Sequence, residues 1–387
     1  MPTVNVNIQP AILNWALDQT NEEKLGKKLA ENIKHWLDGS KCPTFNQIEE
    51  FSKKTHIPIG YFFLQTPPKE QVNLLEYRTV DSLELANPSR DLLDTIHEME
   101  IVQEWMANYK KELYYDKVTF IGSLNEITDI NVIVNKIRMD LGLDLEWYKE
   151  CESCSKAFNK VRGLLEECGV LVMINGIVGK NTHRALNLNE FRAFAMVNEW
   201  APLIFINGAD SAGGRLFSLF HELTHLWIGK DDLYNDRKYS LGGTKPLEII
   251  CNAVAGELMV STEKFIESWK SNTNDDVYEK IKELSKIFRC SESVIARRAL
   301  DNKRIAKDVY DKVIDYGIEA YIQSKQEKNS GGNYYRVARS KLDGAFVRAL
   351  CESVNSGRTS YTEAYRLTNT TSKTFPEVAS GLGGVLW

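Results

Sequence analysis

The 387-residue sequence predicts an α+β fold, in which a small sheet lies beside one apolar helix and all-helical modules flank both. Three short apolar runs with the length of buried strands occur between residues 170 and 206. An apolar helix follows them at about 214–228, and the other patterned segments have the 3.6-residue period of helices. Strands confined to the middle of a mainly helical chain are typical of an α+β domain with helical additions.

The first part of the chain, residues 11–64, has the pattern of several short helices. One of them begins at Thr44, and Gln47 follows three residues later, so we expect the reciprocal bonds of a capping box there. Residues 90–115 predict a long amphipathic helix. Its inward face is expected to consist of Leu93, Ile96, Met99, Val102 and Met106.

A helix over residues 155–168 precedes the predicted strands, which are Val170–Ile174, Phe191–Val197 and Leu203–Ile206. We expect Leu203–Ile206 to offer its edge to an extended peptide, because a free strand edge can pair with another chain. The apolar helix, from about Gly214 to Ile228, comes next. A polar loop then leads to Pro246 and to a helix from Leu247 to about Val260.

Composition and charge limit the function classes. The net charge of −5 argues against a protein that coats nucleic acid. No apolar run approaches the ~20 residues of a membrane helix, and the first residues lack the pattern of a signal peptide. Seven cysteines, an odd number spread over a long chain, favour reduced thiols over a disulfide framework. We therefore expect a cytoplasmic protein without a membrane partner.

The apolar helix carries one polar stripe, and that stripe predicts a metal site. Its polar residues recur at offsets of three and four, which places them on one face: Ser218, His221, Glu222 and His225. Imidazoles four residues apart can bind one tetrahedral zinc ion. Glu222 would lie beside that ion, where it can accept a proton from a water molecule that the metal activates. The alternative, two histidines packed in an apolar core, leaves their polar nitrogens without partners.

A zinc site of this kind needs a third protein ligand, and no histidine follows His225. The extended motif with a third histidine is excluded, because Asp231 stands at that position. A carboxylate is therefore expected, and Glu248 at the start of the next helix is favoured. Asn252, one turn later on the same face, can then hydrogen-bond a ligating imidazole. Glu257 and Asp231 remain alternatives, and Glu248 can also be an ordinary acid at a helix start.

Three separated motifs in this region resemble the ImmA/IrrE family of bacterial zinc metallopeptidases. The resemblance covers about 160–270, and Val260 departs from the pattern at a helix end, where a proline commonly stands. The motifs are Phe191–Gly208, Phe217–His225 and Glu248–Val260.

The resemblance implies a zincin-like metallo-endopeptidase. It implies that the ligands of Zn²⁺ are His221, His225 and Glu248, with Glu222 as the catalytic base. The substrate class that it implies is a protein regulator, a helix-turn-helix repressor whose cleavage releases phage, mobile-element or stress genes. It also implies a regulated, low basal activity.

Residues 9–70 resemble a degenerate phage-repressor-type (XRE-like) helix-turn-helix. The resemblance rests on Trp36–Gly39, Pro43–Thr44 and Pro58–Phe63. DNA as a partner does not follow from it, because residues 1–70 hold eight lysines, no arginine and eight acidic residues. Faces that read a DNA groove usually carry clustered basic side chains. A protein contact or a structural role is the alternative.

The C-terminal residues 331–387 resemble an extension of family members encoded beside a PIN-type nuclease toxin, which implies a toxin–antitoxin role. The rival hypothesis is therefore a non-catalytic antitoxin or transcription regulator, which binds such a toxin or DNA and keeps a structural zinc ion. The presence of Glu222 favours catalysis, because structural zinc needs no base.

The sequence thus predicts five parts, with Lys328–Asn333 as the clearest linker. They are a helix-turn-helix-like domain at 1–70, a helical connector at 71–150, a zincin-like metallopeptidase domain at 151–275, a helical domain at 276–328 and a small helical C-terminal module at 333–387.

Overall fold

The computed structural model describes residues 4–20, 25–68, 88–230, 232–234, 246–327 and 333–386. Three sequence expectations lie outside these residues: Asp231 as a ligand, most of the polar loop before Pro246, and the linker residues 328–332. The chain divides into two compact units, Met1–His97 and Glu98–Trp387. None of the helices that the structure describes combines the length and the apolar character that a membrane crossing requires.

The first unit contains α1 (Pro10–Asp18), α2 (Lys27–Leu37) and α3 (Phe45–Thr55), followed by a 3-10 turn at Ile59–Phe63. The predicted capping box is confirmed at the start of α3. The Gln47 N–H donates to the Thr44 hydroxyl at 3.3 Å, and the Thr44 N–H donates to the Gln47 side chain at 2.9 Å. The core of this unit includes Ile12, Leu13, Ile33, Trp36, Phe51 and Phe62.

The unit boundary falls within α4 (Arg90–Glu112), the long helix that the sequence predicts at 90–115. All five residues expected on its inward face are buried. The helices that follow it are α5 (Ile130–Leu141), α6 (Cys154–Glu167), α7 (Ala212–Ile228), α8 (Pro246–Met259), α9 (Thr262–Ser271), α10 (Val277–Phe288), α11 (Glu292–Asp301), α12 (Lys307–Glu327), α13 (Tyr334–Lys341), α14 (Gly344–Asn355), α15 (Tyr361–Leu367) and α16 (Phe375–Ser380).

Among the residues that the structure describes, the second unit contains a four-stranded sheet, so the predicted α+β fold is confirmed. Its strands lie in the order β1 (Leu171–Asn175), β3 (Leu203–Asn207), β2 (Ala193–Met196) and β4 (Asp232–Tyr234). β1 runs parallel to β3, whereas β2 runs antiparallel to both β3 and β4. The three predicted strands are present, and β4 falls where the sequence predicted a loop.

The expectation that Leu203–Ile206 offers a free edge is wrong. β3 pairs with β1 on one side and with β2 on the other, so its backbone hydrogen bonds are used within the sheet. All five of its residues are buried, which is typical of a central strand covered on both faces. The edge strands of the described sheet are β1 and β4.

The outer edge of β1 is closed by two charged side chains. Asp343, the N-cap of α14, accepts hydrogen bonds from the Val172 and Phe346 N–H groups, both at 3.0 Å. Arg162 of α6 donates to the Val172 carbonyl at 2.8 Å and also to the Leu342 carbonyl. Asp343 is fully buried, and this burial is the main reason why its pKa is raised from 3.8 to about 6. We call Arg162, Asp343 and the Val172 backbone the β1-edge cluster.

Candidate metal centre

Helix α7 packs against β2, β3, α6 and α8, and its C-terminal end is fixed by a close contact between two glycines. Gly229 has a φ of 80° and donates its N–H to the His225 carbonyl at 2.8 Å. The Gly122 N–H donates to the Leu226 carbonyl at 3.1 Å. A Cβ atom on Gly229 would lie 2.6 Å from the Cα of Gly122, so only glycine allows this approach. The contact sets the position of the last turn of α7.

Helix α8 is held at the end opposite to Glu248. Arg138 of α5 donates to the carbonyls of Glu257 and Leu258 at 3.1 and 3.3 Å. The Trp147 indole N–H donates to the Leu258 carbonyl at 3.0 Å. These bonds satisfy carbonyls that a helix end otherwise leaves without partners. Sequence patterns could not assign this role to Arg138 or Trp147, because the contacts span more than 100 residues of chain.

Three side chains from α7 and α8 converge. The Nε2 atoms of His221 and His225 lie 3.1 Å apart. The Glu248 carboxylate oxygens lie 3.2 Å from Nε2 of His221 and 3.5 Å from Nε2 of His225. Both histidines are fully buried, and the Glu248 side chain is 22% exposed. The structure therefore brings together the three residues that the sequence proposed as ligands.

This donor set fits a zinc ion. Two imidazole nitrogens and one carboxylate are the ligand types of catalytic zinc sites, which keep a further position open. Ligand atoms of a tetrahedral zinc lie about 3.3 Å apart when the bond lengths are about 2.0–2.1 Å. The three separations of 3.1, 3.2 and 3.5 Å agree with that spacing.

Asn252 fixes the tautomer of the first histidine. Its Oδ1 lies 2.9 Å from Nδ1 of His221, and because an amide oxygen only accepts, Nδ1 must be the donor. The Nε2 atom of neutral His221 therefore carries a lone pair and points at His225 and Glu248. The position of Asn252, one helical turn after Glu248, matches the sequence expectation of a residue that steadies a ligating ring.

Glu257, the other described competitor for the third ligand, lies elsewhere. Its carboxylate pairs with Arg298 and accepts hydrogen bonds from the N–H and hydroxyl of Thr262, both at 2.8 Å. Nine residues separate it from Glu248, which turns it to the other side of α8. Glu257 thus stabilises the turn between α8 and α9.

Glu222 lies on α7 next to His221 and is fully buried. Because successive helix residues are rotated by about 100°, its side chain leaves α7 beside, and not along, the direction of the two histidines. The helix therefore directs this carboxylate to the flank of the ligand set.

Residues 165–300 match the peptidase family described as the IrrE N-terminal-like domain. A second match, at residues 342–380, is to a domain of unknown function, DUF8813. No curated protein and no solved structure matches the chain. The first match includes α7, α8 and the four strands of the described sheet, and it supports the ImmA/IrrE resemblance, a zincin-like peptidase domain and a metallopeptidase-type function, which implies a metal.

Proposed function

We propose that the protein is a zinc-dependent endopeptidase that cleaves a protein regulator, with a helix-turn-helix repressor as the favoured substrate class. The observation that carries the proposal is the convergence of two imidazole nitrogens and one carboxylate beside the buried Glu222. The substrate class rests on the family resemblance alone. A place in a toxin–antitoxin or mobile-element module is part of the same proposal.

The residues of the site divide the chemistry between them. When bound, zinc acts as a Lewis acid toward the scissile carbonyl and lowers the pKa of a water molecule. His221, His225 and Glu248 would hold the ion, and Asn252 keeps Nε2 of His221 available to it. Glu222 accepts the proton of the attacking water and then delivers it to the amide nitrogen that leaves. Burial of both histidines and of Glu222 keeps other water away from that proton.

The first unit is proposed as a region of protein contact, with duplex DNA as the less favoured partner. The first turn of α3 exposes Phe45, whose ring stacks on that of Phe63 at 6.3 Å between centroids. Lys53 on the same helix is paired with Glu49 at 2.5 Å. An exposed aromatic pair suits an apolar partner surface, whereas a phosphate backbone favours an excess of basic side chains, and residues 1–70 hold eight lysines against eight acidic residues.

The decisive experiment compares wild type with Glu222→Gln in the full chain. Glutamine has nearly the same shape as glutamate but cannot take the proton. We expect both proteins to bind about one zinc ion, measured by elemental analysis, and only wild type to cleave a partner that co-purifies with Glu222→Gln. Glu257→Gln is the matched control, because this acid lies away from the ligand set and should leave cleavage intact.

The rival hypothesis, a non-catalytic antitoxin or regulator with structural zinc, makes a different prediction. Wild type and Glu222→Gln would then form complexes of equal lifetime with the same partner, and neither would cleave it. Cleavage by Glu222→Gln at the wild-type rate would instead contradict the role of Glu222 as the catalytic base.

A further inference from the structure

The polar face of α7 contains a fourth buried group, the hydroxyl of Ser218. Ser218 lies three residues before His221 and is 1% exposed. Within the described parts of the chain, its Oγ atom has no hydrogen-bond partner. A buried hydroxyl without a partner is costly, and native structures keep few of them without a reason.

Thr224 shows how an ordinary hydroxyl behaves in the same helix. It is as buried as Ser218, and its Oγ1 donates to the Phe220 carbonyl, four residues earlier, at 2.9 Å. This bond to the preceding turn is the usual solution for a serine or threonine inside a helix. Ser218 does not make the corresponding bond, and it is not exposed to solvent either. The hydroxyl of Ser218 thus lacks the hydrogen bond that Thr224 makes within the same helix.

The position of Ser218 around the axis of α7 shows which residues share its face. At about 100° per residue, His221, Glu222 and His225 all lie within about 60° of Ser218 around the helix axis. Thr224 lies about 120° away, on a different face. Ser218 thus continues the face of the ligands and the base by one turn, about 5.4 Å, toward the N-terminus of α7.

We propose that Ser218 is a peptide-binding residue, whose hydroxyl hydrogen-bonds the backbone of a polypeptide bound at the metal centre, on the N-terminal side of His221. The inference rests on the proposed endopeptidase function. A peptide backbone offers both N–H and C=O groups, and a hydroxyl can bond either. Because the hydroxyl has no partner to give up, binding gains this hydrogen bond without breaking another one in the protein.

The test uses the zinc-loaded full chain and three small probes. Two dipeptide hydroxamates carry the zinc-binding group at their C-terminal or N-terminal end, so that they extend from the metal in opposite directions. Acetohydroxamate, which has no peptide backbone, is the third. Binding of each probe is measured by calorimetry for wild type, Ser218→Ala, Ser218→Thr and the control Thr224→Val.

We expect Ser218→Ala to lower the binding affinity for one of the two dipeptide probes about tenfold, because one hydrogen bond is lost. Its affinities for acetohydroxamate and for zinc should equal those of wild type, and its midpoint of thermal unfolding should be unchanged or higher. Ser218→Thr should retain the wild-type affinities. Thr224→Val should lower the unfolding midpoint and leave all three probes unaffected, because its hydroxyl serves the helix.

Three results would overturn the inference. If wild type binds the dipeptide probes and Ser218→Ala binds them equally well, Ser218 has no role in binding while the proposed function stands. If Ser218→Ala loses stability and zinc together, its hydroxyl is structural. If zinc-loaded wild type binds none of the three probes, the metal centre is not a peptidase site, and the proposed function fails together with the inference.

Discussion

The metal centre and the β1-edge cluster both bury charged side chains, but they match those charges in different ways. At the β1 edge, the two Asp343 oxygens each accept a backbone N–H, and Arg162 supplies a positive charge nearby. At the metal centre, the lone pair of His221 faces a second imidazole and a carboxylate. The first cluster contains its own donors, whereas the second contains an excess of acceptors.

This difference distinguishes a structural cluster from a binding site. A buried carboxylate is tolerated when neighbouring groups donate hydrogen bonds to it, as the Val172 and Phe346 N–H groups do to Asp343. Converging lone pairs repel one another unless a cation or a proton lies between them.

The largest effect is expected from the ligands. His221→Ala and His225→Ala should abolish zinc binding, and Glu248→Ala should weaken it by more than about a hundredfold, because each leaves two ligands. Competition with a chelator measures the affinities. Glu257→Ala is the control and should change zinc affinity little, since its carboxylate binds Arg298. A larger loss for Glu257→Ala than for Glu248→Ala would place the third ligand elsewhere.

Substitution of Asp343 in the β1-edge cluster should lower the free energy of unfolding and leave the zinc affinity unchanged. Asp343→Ala leaves the buried N–H groups of Val172 and Phe346 without an acceptor, and each such loss costs about 1–3 kcal/mol. Urea unfolding of the full chain measures this free energy. Arg348→Ala is the control: Arg348 pairs with Glu166 at 2.6 Å but is 49% exposed, so the expected cost is below about 1 kcal/mol. Equal losses would contradict the structural role of the cluster.

The raised pKa of Asp343 makes the stability of the folded chain depend on pH. The pKa of Asp343 is about 6 in the folded chain and 3.8 ordinarily. The folded chain therefore binds this proton more tightly than the unfolded chain does, and Asp343 favours folding more at low pH. Between pH 7.5 and 4.5 the gain is about 2 kcal/mol. Asp343→Asn cannot titrate, so its destabilisation relative to wild type should be larger at pH 4.5 by that amount. The same destabilisation at both pH values would exclude the raised pKa.

The smallest effect is expected from Asn252. Loss of a partner that orients a ligating imidazole lowers metal affinity by about tenfold, because the ring can then rotate or adopt the other tautomer. Chelator competition with Asn252→Ala measures this, with Asn302→Ala, at the C-cap of α11, as a control outside the site. An unchanged affinity would show that burial alone orients His221.

Local patterns predicted most of the candidate site, because its residues follow helix periodicity. His221, Glu222 and His225 lie within one turn and a half, and Glu248 and Asn252 are one turn apart. The strand order could not be predicted in this way. Whether Leu203–Ile206 lies at the centre or the edge depends on its pairing with β1, which lies about 30 residues earlier in the sequence.

The β1-edge cluster was also invisible to local patterns, because its contact between Val172 and Asp343 spans 171 residues. Asp343 reads in the sequence as an ordinary N-cap before Gly344, and Arg162 as a charge on a helix. Burial and the pairing of two distant segments give them their role, and neither follows from spacing along the chain.

The cap on β1 has a practical consequence for anyone who expresses part of this protein. The peptidase match ends at residue 300, and a gene fragment cut there would omit Asp343 and all of α14. The Val172 N–H would then lie on an open strand edge, the kind of surface along which separate chains stack into aggregates. Such a fragment should form insoluble or multimeric material, whereas a longer one that retains residues 333–386 should remain dispersed.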